Sequence, residues 1–185
     1  YNQLVNLFPE FKDVSVDELV NMINKTECAL IRTEADELTY PLHIMVRYEI
    51  EKEIAKGNVD YDKLPELWAD KYEEYLGVRP TNYKEGVLQD MHWSTGYLGY
   101  FPTYALGSAY AAQLYATMEK QFDVKEALLT NHFEKITNWL KENVHHYAAS
   151  KSMAEIVEEV SGEPFNPDYY TDYLIKKYKK LYNLD

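Results

Sequence analysis

Apolar residues recur every three to four positions along most of the chain, and no stretch alternates with period two over a useful length. Ser15-Val16-Asp17-Glu18 forms a capping box, and behind it Leu19, Met22, Ile23, Thr26 and Leu30 keep a helical spacing. This spacing predicts a helix to about Arg32. Residues 31 to 36 lead into a second helical stretch. Leu38, Leu42, Met45, Val46, Ile50 and Ile54 lie on one of its faces, with Arg47 and Glu51 one turn apart on another. Pro41 marks a start or a kink, and Lys56-Gly57-Asn58 an end.

A third helix opens at Pro65, carries Leu64, Leu67, Trp68, Tyr72 and Tyr75, and closes at Gly77. After a turn at Val78 to Asn82, residues 86 to 104 read as a helix broken near Trp93 and followed by a Gly-rich loop. From Thr103 a long helix repeats Leu106, Tyr110, Leu114 and Met118. Its small opposite side (Ala105, Gly107, Ser108, Ala109, Ala111, Ala112) predicts a central, closely approached helix. Further capping boxes at Asp123–Glu126 and Ser152–Glu155, a break near Asn131 and a stop at Gly162 lead to a last helix marked by Tyr170, Leu174, Tyr178 and Leu181. The pattern is all-α, a single multi-helix domain over residues 1–185.

Composition adds limits. At 185 residues with 46% hydrophobic and 15% aromatic content, the chain is able to bury a core, and its 18 tyrosines favour half-buried positions. Nineteen basic against 31 acidic residues give a net charge of −12, which attracts neither nucleic acid nor an anionic membrane surface. No apolar run approaches the roughly 20 residues of a membrane span. Cys28 is the lone cysteine, so no intrachain disulfide forms, which fits a cytoplasmic location. Leu4 to Phe8 is too short for a secretory core, and Tyr1 is not an initiator methionine, so the chain is expected to be part of a longer one.

Candidate chemistry is sparse outside one region. The five histidines, His43, His92, His132, His145 and His146, form no His-Glu-x-x-His pair. His145 and His146 point about 100° apart on a helix, and Glu142 with His146 lacks a third ligand, so the chain itself is expected to hold no catalytic metal. Cys28 has no base nearby in sequence, and Gly96 and Gly99 lack the context of a phosphate loop. The exception is 86–104, where Gln89, Asp90, His92, Trp93, Tyr97, Tyr100 and Tyr104 crowd between glycines and Pro102. A lone His such as His92 is more often structural than functional, and the tyrosines fit packing equally well. Arg32, four residues before Asp36, reads on pattern alone as an ordinary helix ion pair worth a few tenths of a kcal/mol.

Two motifs change this picture. Gly86-Val87-Leu88-Gln89-Asp90-Met91-His92-Trp93 and Ile31-Arg32-Thr33-Glu34-Ala35-Asp36 resemble the G-x-x-Q-D-x-H-W and I-R-x-x-A-D signatures of the carboxypeptidase Taq family of zinc metallocarboxypeptidases. The flanks, Glu37 to His43 and Gly99 to Tyr104, are similar too, and the resemblance covers essentially the whole chain. It is to the C-terminal part only, since the family's H-E-x-x-H zinc helix and later zinc-ligand Glu lie upstream.

The resemblance implies a helical, neurolysin-like fold with a deep groove, and removal of single residues from peptide C-termini by a zinc-activated water. Its ligands and general base would sit in the missing N-terminal catalytic portion. Arg32 would hold the substrate's terminal carboxylate. His92 and Tyr104, with Tyr100 as a third, would donate to the developing oxyanion. Gln89 and Asp90 would orient His92 or line the groove. The isolated segment would be inactive, and family members are commonly homodimers. The alternative is a non-catalytic helical module that binds a peptide or protein in its Tyr-rich groove.

Overall fold

The computed structural model describes residues 1–185, built from helices and turns without a strand. They divide into two compact units, Tyr1–Thr103 and Tyr104–Asp185.

In the first unit α1 (Asn2–Leu7) and α2 (Val16–Ile23) lie near the start. Both halves of the Ser15–Glu18 capping box are made, but the helix stops at Ile23, nine residues short of the predicted Arg32. The Asn24 side chain donates back to the Val20 carbonyl at 2.9 Å. The Asp36 carboxylate then takes the Glu27 N–H at 2.9 Å, drawing residues 25–31 out of any helix. Leu30 still reaches the core from this extended segment, so its helical spacing was coincidental. Arg32–Glu34 forms a single 3-10 turn rather than the head of a helix.

The core of this unit is α3 (Tyr40–Ala55) packed on α4 (Leu64–Leu76). Pro41 falls in the first turn of α3, where its missing N–H costs nothing. Gly77 caps α4 in the left-handed conformation at φ 66. Val46 and Ile50 meet Trp68, Tyr72 and Leu76, all buried. Glu49 on α3 ties the surface of the pair by binding Lys71 at 2.6 Å and the Tyr75 hydroxyl at 2.6 Å.

Residues 86–95 are not the broken α-helix that periodicity predicts. They are two 3-10 turns, Val87–Gln89 and Trp93–Thr95, joined through an extended Asp90. Gly86 fits tightly here: a Cβ would stand 3.0 Å from the Asn82 carbonyl oxygen, so that backbone would have to give by a few tenths of an ångström. Gly96, at φ 82, ends the second turn.

The second unit contains almost all of α5 (Thr103–Glu119), followed by α6 (Val124–Leu129), α7 (Phe133–Asn143), α8 (Met153–Ser161) and α9 (Asp168–Tyr182). The chain does break at Asn131, which adopts φ 59. Its core joins Leu114, Met118, Val124, Trp139 and Val157. The small side of α5 is only partly packed: Ala109 is buried, but Ala111 is exposed and a Cβ at Gly107 would meet nothing within 4 Å, while Leu106 of the large side is exposed too. The buried face runs through Ala109, Gln113, Leu114, Thr117 and Met118.

Gln113 is the polar hub of this unit. Fully buried, it donates to Ser161 Oγ at 3.0 Å and the Pro164 carbonyl at 3.1 Å, and accepts from Asn166 N–H at 2.9 Å. Gln113→Leu keeps the volume and strands those groups, so unfolding free energy should fall by about 2–4 kcal/mol. Ser152→Ala, which removes only a helix cap, should cost about 1 kcal/mol. Urea denaturation compares the two, and a Gln113→Leu protein as stable as the parent would refute the hub.

Candidate functional site

The first unit assembles its site around an aromatic ring that the sequence does not single out. Phe101 is fully buried. The Arg32 guanidinium carbon lies 4.9 Å from its centroid, that of Arg47 4.6 Å, and the His92 ring 5.4 Å. His92 also meets the Tyr100 ring at 5.3 Å, and Tyr100 meets Tyr97 at 6.0 Å. The two motifs, some sixty residues apart in sequence, therefore converge on one ring. Tyr104 stands in the first turn of α5 in the second unit, 42% exposed.

Arg32 is held but not neutralised. It forms no salt bridge, and its Nε is buried without a hydrogen-bond partner. The ion pair with Asp36 that spacing alone predicts is absent because Asp36 is spent elsewhere. Its oxygens accept from the backbone of Glu27, Leu38 and Thr39 and from the Thr39 hydroxyl, each at 2.9 Å. Burial raises its pKa, but these bonds outweigh it and hold the carboxyl below its ordinary value.

Asp90 is also spent. At 7% exposure it is buried rather than open to a ligand, with Oδ2 on Arg47 Nε at 3.0 Å. Its Oδ1 accepts the N–H groups of His92 and Trp93, both at 2.9 Å. It holds the turn that carries His92. Gln89 donates to the Lys84 carbonyl at 2.6 Å, closing the loop before that turn.

Behind these residues runs a buried polar stripe on α3, His43, Arg47 and Glu51, spaced four apart. Arg47 Nη1 donates to the His43 carbonyl at 2.8 Å and to the Tyr72 hydroxyl at 3.3 Å. The Tyr72 hydroxyl lies 3.0 Å from His43 Nδ1. With its oxygen accepting from Arg47, that hydroxyl donates to Nδ1, which leaves the proton of His43 on Nε2, a buried nitrogen without a hydrogen-bond partner. Burial, reinforced by the Arg47 charge, pushes the His43 pKa down to about 4, so the ring is neutral at pH 7. Burial raises that of Tyr72. Glu51 accepts from Trp93 Nε1 at 2.7 Å, fixing the far end of the turn. Sequence reasoning placed Arg47 and Glu51 one turn apart on a separate face, gave Tyr72 only to the apolar face of its helix, and assigned no role to Phe101. The available signal was a His, an Arg and a Glu one turn apart, interleaved with the apolar Leu42, Val46 and Ile50.

No group of three or more His, Cys, Asp or Glu side chains converges anywhere in the chain, so its residues do not fit a metal ion. A surface cleft of about 320 Å³ is lined by Glu49, Ile50, Lys52, Glu53, Leu67 and Lys71, a set that includes none of Arg32, His92 and Phe101. No helix is long and apolar enough to cross a membrane. The site can therefore offer a half-buried cation, an imidazole and phenols on an aromatic floor.

Known proteins resemble nearly the whole of this chain in sequence and in structure. The family model described as carboxypeptidase Taq (M32) metallopeptidase matches residues 1–178. Carboxypeptidase 1 of Bacillus subtilis is 48% identical over 176 residues, which cover 95% of this chain and 35% of that protein. Thermostable carboxypeptidase 1 of Thermus thermophilus is 41% identical over 177 residues, again 95% of this chain and 35% of the relative. The crystal structure of the M32 carboxypeptidase from Deinococcus radiodurans R1 superposes with a TM-score of 0.93 at 34% identity, covering 98% of this chain and 37% of that one. The chain thus spans about 35% of the length of the curated relatives it matches.

The buried His43 makes a pH prediction. Its folded pKa, about 4, lies below the ordinary 6.5. The unfolded chain therefore takes up a proton first as pH falls. The stability His43 contributes is complete above pH 6.5, drains as pH drops toward 4, and is gone below that. The loss should be about 3 kcal/mol. His43→Asn, which retains an acceptor for Tyr72, should flatten this part of a urea-denaturation series between pH 7 and 4. An unchanged slope in the variant would refute the assignment.

Proposed function

The chain belongs to the carboxypeptidase Taq (M32) metallopeptidase family, and from that premise we propose that it is the C-terminal part of a metallocarboxypeptidase, supplying the surface that grips the substrate's C-terminus. Arg32 binds the free carboxylate through its planar fork. His92 donates a hydrogen bond to the carbonyl oxygen as it becomes an oxyanion, and Tyr104 and Tyr100 supply further donors. Asp90 and Gln89 hold the turn on which His92 rides.

The observation that carries this reading is the state of Arg32. A half-buried guanidinium with no carboxylate partner and an unpaired Nε, set on the same ring as His92, suits a carboxylate arriving from outside. An exopeptidase needs such a cation, because the terminal carboxylate is what tells a chain end from a chain interior.

The metal implied by the family's description finds no ligand set in residues 1–185. Under this reading its ligands, and the general base, belong to the part of the relatives that this chain does not span, and zinc is the ion that part would hold. The residues of this chain bind, orient and donate. Alone they should hydrolyse no peptide and hold no stoichiometric metal.

In the full-length protein, Arg32→Ala should lower kcat/KM on peptides with a free C-terminus by about 100- to 1000-fold, the worth of two charge-assisted hydrogen bonds. Metal content should be unchanged, and free and amidated peptides should be cleaved at similar residual rates. His92→Ala should instead lower kcat by about 100-fold or more with little change in KM. Wild-type kinetics in Arg32→Ala, measured on both peptide forms, would end the reading.

A further inference from the structure

Arg47 is a fully buried guanidinium, and no step proposed above uses it. It lies too deep to touch a peptide, yet its contacts with Asp90 and Phe101 lead to residues that would. Its Nε holds Asp90 Oδ2 at 3.0 Å, while Asp90 Oδ1 holds the N–H groups of His92 and Trp93. Its guanidinium carbon lies 4.6 Å from the centroids of both the Trp68 and Phe101 rings. Phe101 in turn carries Arg32 and His92, and Trp68 meets Trp93 edge-on at 5.6 Å.

We propose that Arg47 is a positioning residue for the site. One buried guanidinium sets His92 through the Asp90 carboxylate and sets the floor beneath Arg32 and His92 through the Phe101 ring. This rests on the roles given to His92 and Arg32 above.

The geometry calls for arginine specifically. A lysine ammonium is a point charge: it can pair with Asp90 but cannot stack between two rings while directing Nε and Nη1 to separate partners. A cation needed only to neutralise Asp90 would not require both rings and the Tyr72 hydroxyl. His43 and Tyr72 complete the cage from α3 and α4, through the His43 carbonyl and the phenol oxygen.

The test uses the full-length protein with its metal-loaded active sites titrated. Arg47→Lys should keep a cooperative melt yet lower kcat per titrated site by about 10- to 100-fold. It should also narrow the preference for free over amidated C-termini. In a His92→Ala background the same substitution should cost less than about threefold, because the two act through one element. An equal loss in both backgrounds, or a kcat per site within twofold of wild type, overturns the proposal. If Arg47→Lys does not fold, Asp90→Asn takes its place, since it keeps an acceptor for the His92 and Trp93 amides and alters only the bond to Arg47. The ring signals of His92 in histidine-labelled protein provide a readout independent of hydrolysis. Signals unmoved by Arg47→Lys refute the positioning, whereas moved signals beside wild-type kcat in His92→Ala refute the catalytic reading of His92 instead.

Discussion

A guanidinium taken out of water is tolerated only when its charge and its donors find partners, since an unpaired buried ion costs several kcal/mol. Arg47 meets most of that demand with residues from several segments of the first unit, only its Nη2 staying buried without a hydrogen-bond partner. The His43 carbonyl comes from its own helix, the Tyr72 hydroxyl and the Trp68 ring from α4, Asp90 from the turn at 87–95, and Phe101 from the segment before α5. Because losing any of these partners would leave still more of the ion unpaired, they tie these segments to one mutual arrangement. Apolar packing of Val46 and Ile50 against Leu76 brings the helices together, and the ion decides how the irregular segments dock on them. Buried ion pairs often add little net stability. Here the pair fixes a loop that has no helical ladder to fix it.

Much of the fold is legible in the sequence because it rests on local chemistry. The capping boxes at Ser15 and Ser152, the prolines in the first turns of α3 and α4, and the left-handed glycines at 77 and 162 act within a few residues. What periodicity misreads are segments decided by distant partners. Residues 25–31 follow a helical spacing, yet Asp36 pulls Glu27 into an extended path from nine residues away. Residues 86–93 look helical until Asp90 turns both its oxygens to other work. The same holds for the site. Motif recognition finds Arg32 and His92 because they are written in short words. Arg47, Tyr72 and Phe101 are 25 to 54 residues from one another, and only the folded chain brings them together.

The motifs also change meaning once their acids are followed. In sequence, Asp36 and Asp90 look like partners for Arg32 and His92, which would leave two quenched pairs. In the structure each acid serves the backbone. Asp36 ties the segment before Arg32 to the start of α3, and Asp90 binds Arg47 and the His92 turn. In a chain of net charge −12, an arginine without an acid is an exception that has to be built. It is built by giving the carboxylate four residues on, Asp36, four donors that hold it. A carboxylate held by several hydrogen bonds gains little by swinging to a neighbouring cation. That Arg32 has no acid partner thus depends less on what surrounds the arginine than on what keeps Asp36 away from it.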